Sequence, residues 1–373
     1  MSRRTTLCLC MIVKNEAPVI RRCLDSVRPL IDYWVIVDTG STDGTQDIIR
    51  EHLRDLPGEL HERPWRDFAY NRSEALALAR PHADYSLIID ADDVLEVPKG
   101  YKLPRLKADA YYIDIDHPPV RYQRMQIVSN ARPWRYRGVL HEFLACEGAG
   151  PAGRLPLVNR MYFDGARRRD PATFARDAAV LEQALETETD PFLRSRYTFY
   201  LAQSCRDGGD KEKALGLYLA RAELGYWRDE VFVSLLEAAR LKEQLGHEEQ
   251  EVIDAYLKAA KAAPHRAEAL HGAARYCREK KRYEEGYRYA KSGLKIRAPG
   301  DGLFVETWIY QWSLLDEFSI HAYWVGRYRE SLEACLKILM DGHCPPEQHE
   351  RILTNGANAR HKLEERQRDP GRG

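Results

Sequence analysis

Three short apolar runs, each closed by a polar turn, dominate the first ninety residues and limit what the chain can fold into. Leu7 to Val13 (LCLCMIV) ends at Lys14-Asn15-Glu16, Tyr33 to Val37 (YWVIV) ends at Asp38, and Tyr85 to Ile89 (YSLII) ends at Asp90. Runs of this length, apolar at every position, read as strands buried on both faces. The segments between them have helical spacing. Val19, Ile20, Cys23, Leu24 and Val27 mark a helix over 17–28, QDIIREHL follows with Ser41 or Thr42 as its N-cap, and 71–80 reads as a third helix. Strand–helix alternation predicts a mainly parallel sheet covered on both faces. Ligands of such sheets sit at the carboxyl ends of the strands. Lys14, Asp38 and Asp90 fall there, so their side chains are expected to converge on one cleft.

A length of 373 residues exceeds what one hydrophobic core usually supports. From about Asp177 the strand-like runs stop. YTFYLAQSCRDGGDKEKALGLYLARAEL (197–224), ALHGAARYCREKKRYEEGYRYAKSGL (269–294) and HAYWVGRYRESLEACLKIL (321–339) each read as two helices around a short charged or glycine turn. EQEVIDAYLKAAKAAP (249–264) reads as the second half of a fourth such unit. The pattern resembles degenerate tetratricopeptide repeats, whose period is about 34 residues, and predicts an α-solenoid. The expected division is a catalytic α/β domain over 1–170, a helical-repeat domain over 171–365 and a polar, frayed tail over 366–373.

The eight cysteines include no C-x-x-C pair and no zinc-finger spacing, so reduced thiols and a cytoplasmic location are expected. The apolar run after Arg3-Arg4 is short and lacks a small-residue cleavage site, so it reads as a strand rather than a signal peptide. No apolar window is long enough to insert in a membrane.

Asp90-Ala91-Asp92-Asp93 carries the clearest chemistry. Acids placed just past a buried strand need something to offset their charge, and Mg²⁺ or Mn²⁺ does so while also binding diphosphate oxygens. If the segment is extended, Asp90 and Asp92 face the same way and Asp93 faces elsewhere. Taken alone, the motif reads equally well as a solvated acidic turn.

In order, CMIVKNE (10–16), VIVDTGSTDGT (35–45) and LIIDADD (87–93) resemble the family 2 glycosyltransferases of GT-A fold, over roughly residues 7–145. The resemblance implies a Rossmann-like mixed sheet and a nucleotide-diphosphate sugar donor, UDP-glucose-like. It also implies a divalent metal and an inverting displacement. Asp38 would contact the donor base, although the family usually has two adjacent acids where this chain has Asp38-Thr39. Val13, Asn15, Glu16, Asn71, Arg72, Asp90 and Ala91 would complete the nucleotide-sugar site, with Arg72 on a phosphate, and Asp43 would brace the turn. Asp90, Asp92 and His141 would hold the metal, and Glu142, beside His141, would deprotonate the acceptor. The roles of His141 and Glu142 are open to exchange. Trp65 and Phe68 read as packing residues, and the second pair of alternating acids, Asp114 and Asp116, as structural or acceptor-facing.

Overall charge balances, with 57 basic and 57 acidic residues, but Arg121 to Arg176 holds eleven Arg, no Lys and four acids. Interleaved Tyr122, Trp134, Tyr136 and Tyr162 suit stacking on bases or sugars. These Arg could grip a polyanion or pair with acids of the helical domain across the domain junction. The two-domain combination resembles bacterial peptide S- or O-glycosyltransferases and viral enzymes that glycosylate hydroxymethylated DNA, with DGARRRDP (164–171) and 303–328 as shared features. The expected acceptor is therefore a macromolecule, polypeptide or modified DNA. A sugar nucleotidyltransferase would need a glycine-rich loop that CMIVKNE does not supply. A helical-repeat adaptor with a vestigial catalytic domain is the non-enzymatic alternative.

Overall fold

The computed structural model describes residues 4–117, 120–162, 164–166, 170, 172–300 and 302–368. It divides into two compact units, Met1–Ser204 and Cys205–Gly373.

The three apolar runs form β1 (Leu7–Val13), β2 (Tyr33–Asp38) and, after β3 (Gly58–Glu62), β4 (Tyr85–Ile88). Between them lie α1 (Ile20–Val27), α2 (Thr45–His52) and α3 (Phe68–Ala79). Then follow β5 (Val94–Glu96), β6 (Ala110–His117), β7 (Val120–Ser129), β8 (Arg135–Arg137), β9 (Phe143–Ala145) and β10 (Gly153–Arg160). Eight strands make one sheet in the order β3-β2-β1-β4-β7-β6-β10-β5, and β8 pairs with β9. The first four strands are parallel, as expected. Beyond them β7 runs antiparallel to both β4 and β6, so the sheet is mixed.

Residues buried on both sheet faces explain the unbroken apolar runs. Leu7, Leu9, Met11, Ile36 and Leu87 pack with Ile20, Leu24, Val27 and Ile49 of α1 and α2. The alternate residues Cys8, Cys10, Val35, Val37 and Ile88 pack with Ala75, Leu76 and Ala79 of α3. All eight cysteines are free thiols.

Two local expectations differ from the structure. Helix α2 starts at Thr45 after a left-handed Gly44, so neither Ser41 nor Thr42 caps it. Its first turn is served instead by Asp43, whose carboxylate accepts from Thr45 N (3.1 Å) and Oγ1 (2.6 Å). The chain becomes all-helical at α4 (Thr173–Thr187), close to the expected change at 171. The first unit nevertheless extends to Ser204, because α5 (Pro191–Asp207) packs on it through Tyr197 and Tyr200.

In the second unit the repeats resolve into α6 (Lys211–Glu223), α7 (Arg228–Gln244), α8 (Glu249–Ala262), α9 (Glu268–Glu279) and α10 (Tyr283–Gly293). A π-helical turn, Ile309–Ser313, leads into α11 (Leu314–Trp324), α12 (Tyr328–Asp341) and α13 (Pro346–Arg368). Each helix packs on its sequence neighbours, the one-dimensional arrangement of a helical repeat. Close approach needs small residues. A Cβ on Gly286 would sit 2.0 Å from the His321 ring. Of the tail expected to fray, residues 366–368 are helical. The helix runs to Arg368, held by Lys362–Glu365 (2.7 Å), His361–Glu365 (3.0 Å) and an Arg366 bond to Gly326 O (3.1 Å); 369–373 lie outside the described residues.

Buried His271 meets Ser313 Oγ at 2.9 Å. Burial, with Arg275, Arg240 and Arg278 nearby, pushes its pKa down to about 3. A depressed folded pKa means the unfolded chain binds the proton first as pH falls. The second unit therefore keeps its full stability above about pH 6.5 and loses it between there and about pH 3, by up to about 1.4 kcal/mol per pH unit. Denaturant titrations at pH 8 and pH 5 should show this loss, and His271→Gln should flatten it.

Candidate active site

The loops after β1 and β2 are stitched together by side chains. Asn15 takes a left-handed backbone (φ 57°), which Asn tolerates better than most residues. Its Oδ1 accepts from Thr42 N (2.8 Å), and its own N–H donates to Ser41 Oγ (2.9 Å). Glu16 N donates to Thr45 Oγ1 and Ala17 N to Asp43 Oδ2. Asp43 is thus a brace, as expected. Val13 is buried, and its carbonyl accepts from Thr39 N and Oγ1.

Asp38, at the end of β2, is 1% exposed. Its Oδ1 accepts from Gly40 N, Ser41 N and Gln46 Nε2 at 2.8–3.0 Å, while buried Oδ2 has no protein partner. Burial works to raise its pKa, but the bonds from Ser41, Gln46 and Gly40 outweigh it and hold the group ionised below the ordinary range.

Residues 90–93 form a turn closed by Asp93 N to Asp90 O (3.1 Å), not an extended segment. Strand alternation therefore does not set the directions of these acids; the turn and its partners do. Asp90 Oδ1 accepts from Arg72 Nη2 at 2.6 Å, and its Oδ2 lies 3.7 Å from Arg124. Burial opposes ionisation of Asp90, yet Arg72 and Arg124 hold its pKa down to about 2. Asp93 is buried, accepts from Asn159 Nδ2 at 2.7 Å, and is pushed up to about 7 by burial and by Asp90. Asp92 is also raised, by burial first and then Asp90. Ala91 is 5% exposed, between the two acids.

Arg72 was expected on a phosphate. In the structure its guanidinium lies between two carboxylates, with Nε 2.6 Å from Glu142 Oε1 as well as its bond to Asp90. Asn71 is fully buried and holds the preceding loop, accepting from Arg66 N and donating to Pro64 O. Trp65 and Phe68 pack edge to face, 4.7 Å apart. His141 has φ 50°, its ring stacks on Tyr200 at 3.7 Å, and its carbonyl accepts from Arg196 Nη2 at 2.7 Å. Among the described residues no three His, Cys, Asp or Glu side chains form a ready metal-ligand group, so Asp90, Asp92 and His141 are not assembled as one. The physical reason is visible: two Arg occupy the Asp90 oxygens, and Tyr200 holds the His141 ring.

A strap unforeseen in the sequence lies over Asp92. Arg22 of α1 donates to both oxygens of Asp164 (2.9 and 2.8 Å) and to Asp92 O (2.7 Å), with Tyr162 4.1 Å below its guanidinium. A Cβ on Gly165 would come 2.5 Å from Asp92 Oδ2, so only glycine fits there without a shift. Ala166 N donates to the Glu16 carboxylate at 3.2 Å. Contacts 70 to 150 residues apart leave no local pattern to read.

Many of the described Arg of the basic stretch are ion-paired. Arg132 pairs with Asp109, Arg137 with Asp190, Arg154 with Asp114, Arg160 with Glu96 and Asp116, and Arg176 with Asp170, at 2.6–3.1 Å. All these acids lie in the first unit, and Asp190 also falls within the span 171–365 expected to be helical. The pairs also account for Asp114 and Asp116. Arg167, Arg168 and Arg169 lie outside the described residues, as does the Arg121 side chain.

A pocket of about 310 Å³ opens beside Asp90 and Glu142, walled by Arg72, Tyr112, Gln126 and Tyr136. A cavity of about 490 Å³, with Arg4, Arg80 and Arg105 in its wall, lies at the opposite ends of β1 and β4, away from the strand-end carboxylates.

Residues 8–130 match the family described as Glycosyl transferase family 2. The first unit therefore carries a domain of that family. Over 107 residues the chain is 30% identical to the SPbeta prophage-derived glycosyltransferase SunS of Bacillus subtilis, covering 28% of this chain and 24% of that one. It is 41% identical over 87 residues to a TPR repeat-containing protein of Synechococcus elongatus (23% of this chain, 20% of that one). It is 31% identical over 99 residues to the lipopolysaccharide core biosynthesis glycosyltransferase LpsC of Rhizobium meliloti (26% and 36%). The chain spans no more than about two-fifths of the length of these relatives. Among solved structures, a tetratricopeptide repeat protein from Parabacteroides merdae is similar at 15% identity and TM-score 0.38, covering 53% of this chain and 70% of that one.

Proposed function

We propose that the protein transfers a hexose from a nucleotide-diphosphate sugar to a nucleophile on a macromolecular acceptor. The observation that carries this reading is Asp38: a buried carboxylate with one oxygen fully bonded and the other unmatched, at a parallel strand end. That oxygen suits an N–H of a nucleotide base. Asn15 and Glu16 bond to the same turn, Asn15 to Ser41 and Thr42 and Glu16 to Thr45.

Asp92 is the carboxylate best suited to a divalent metal, since its charge is the less offset of the pair; Asp90 already faces two guanidiniums. Mn²⁺ or Mg²⁺, when bound, supplies charge stabilisation for the departing diphosphate. Arg72 holds Asp90 and Glu142 in one network, so the metal side and the proton-accepting side keep a fixed spacing. Glu142 takes the acceptor proton, the nucleophile attacks the anomeric carbon, and the diphosphate leaves from the opposite face, with inversion. His141, held by Tyr200, flanks the base. Polypeptide and hydroxymethylated DNA both remain acceptors for this reading, and the salt dependence of transfer separates them, a steep dependence marking DNA.

Nucleotide binding tests the donor reading directly. Titrating UDP, GDP and their glucose derivatives with Mn²⁺ should reveal one preferred base, and Asp38→Ala should weaken it by roughly tenfold or more, from loss of a charge-assisted bond. Binding that is absent throughout, or indifferent to Asp38→Ala in a folded variant, would sink the reading.

A further inference from the structure

Strand β7 has one residue too many. Tyr111 pairs with Ile127 and Tyr112 with Met125, which leaves Gln126 as the extra residue of a β-bulge. In a regular strand Met125 and Ile127 would share a face. Here Ile127 joins the core on the α1–α2 side, while Met125 and Val128 face the α3 side. The bulge thus brings Gln126 beside Met125, on the wall of the 310 Å³ pocket.

Gln126 is 1% exposed, and neither its Nε2 nor its Oε1 has a hydrogen-bond partner. A buried amide with both ends unmatched is rare, because it gives up water without replacement. A bulge next to a catalytic site, re-aiming a side chain that is then left unmatched, fits a group waiting for a ligand.

The rest of the wall sets the ligand's chemistry. Arg72 and Arg124 are engaged with Asp90, Glu142 and Asp93, Gln123 donates to Asp114 and Arg196 to His141 O, so the Gln126 amide brings the pocket a neutral donor–acceptor pair that no protein group uses. Tyr112, Tyr136 and Phe143 add aromatic surface. Pockets that combine apolar and aromatic walls with few polar groups hold compact ligands in one orientation.

We infer that this pocket recognises a polyhydroxylated ring of hexose size, and that Gln126 is its specificity-determining residue. Nε2 donates to one hydroxyl and Oε1 accepts from its neighbour. The ring belongs either to the donor or to a sugar of the acceptor; only this choice of source rests on the glycosyltransferase reading.

The test compares wild type with Gln126→Met, which keeps volume and removes the amide. Gln126→Leu serves if the first does not fold. The probes are UDP, UDP-glucose, methyl glucoside, methyl galactoside and a Ser/Cys peptide, with binding read by calorimetry and saturation-transfer NMR. The folded variant should have an unchanged or higher Tm and bind a sugar-bearing probe at least about tenfold more weakly. UDP affinity should not change. Loss confined to UDP-glucose assigns the ring to the donor; loss confined to a methyl glycoside assigns it to the acceptor. Unchanged affinity for every sugar probe, no sugar binding by wild type, or a loss for the peptide alone overturns the inference. If UDP fails to bind wild type, the donor reading falls, while the methyl glycosides still decide the pocket.

Discussion

Asp92→Ala should lower sugar transfer by about a thousandfold while leaving the protein folded and UDP still bound. The asymmetry between the two acids argues for this. Asp90 is neutralised by Arg72 and Arg124 inside the protein, whereas Asp92 carries a raised pKa from burial and from Asp90 itself. Removing Asp92 therefore relieves a repulsion, and thermal stability should hold or rise slightly. On the proposed function activity falls because Asp92 is the carboxylate that would hold a divalent metal, which would supply charge stabilisation for the departing diphosphate. Steady-state transfer assays with Mn²⁺, beside a melting curve, separate these effects. A variant that keeps more than a tenth of wild-type turnover would remove Asp92 from the chemistry.

Arg72→Ala should do the reverse and damage fold and function together. Its guanidinium lies between Asp90 Oδ1 and Glu142 Oε1, each 2.6 Å away, with its side chain 15% exposed. Losing it strands two largely enclosed carboxylates. Breaking a buried pair costs about 3–5 kcal/mol, and the partial exposure of Asp90 places this site near about 3 kcal/mol. Arg72→Lys keeps the charge but cannot reach both acids in a planar fork, so it should recover stability better than turnover. Denaturation midpoints and kcat for the two variants check the ordering; equal recovery of both by Lys would contradict it.

The helix–strand alternation of the first ninety residues was legible because burial on both faces leaves continuous apolar runs at β1, β2 and β4. Strand β3 was not, since GELHE is a half-exposed edge strand with no apolar run. The four paired-helix segments were legible from spacing, including α8 as the partner of a helix not itself recognised, α7. Site residues divide the same way. The strand-end positions of Asp38 and Asp90 were legible because strand ends are local features. Arg124, Arg22 and Gln126 were missed because what distinguishes them is tertiary: an ion pair across strands, a strap from a distant segment, a shifted register. The protein partners of Arg72 and Asn71 were illegible for a related reason. A motif gives a side chain's neighbourhood, and the fold decides which neighbour it reaches.

The bulge in β7 has a consequence for how such a site changes over generations. One codon gained within a strand moves a side chain from one face to the other, yet Ile127 and Val128 keep their places in the two cores. The register error is absorbed locally and the strands beyond it pair as before. A lineage carrying the extra codon can vary the single residue at 126 and retune what the pocket reads, without renegotiating the rest of the sheet.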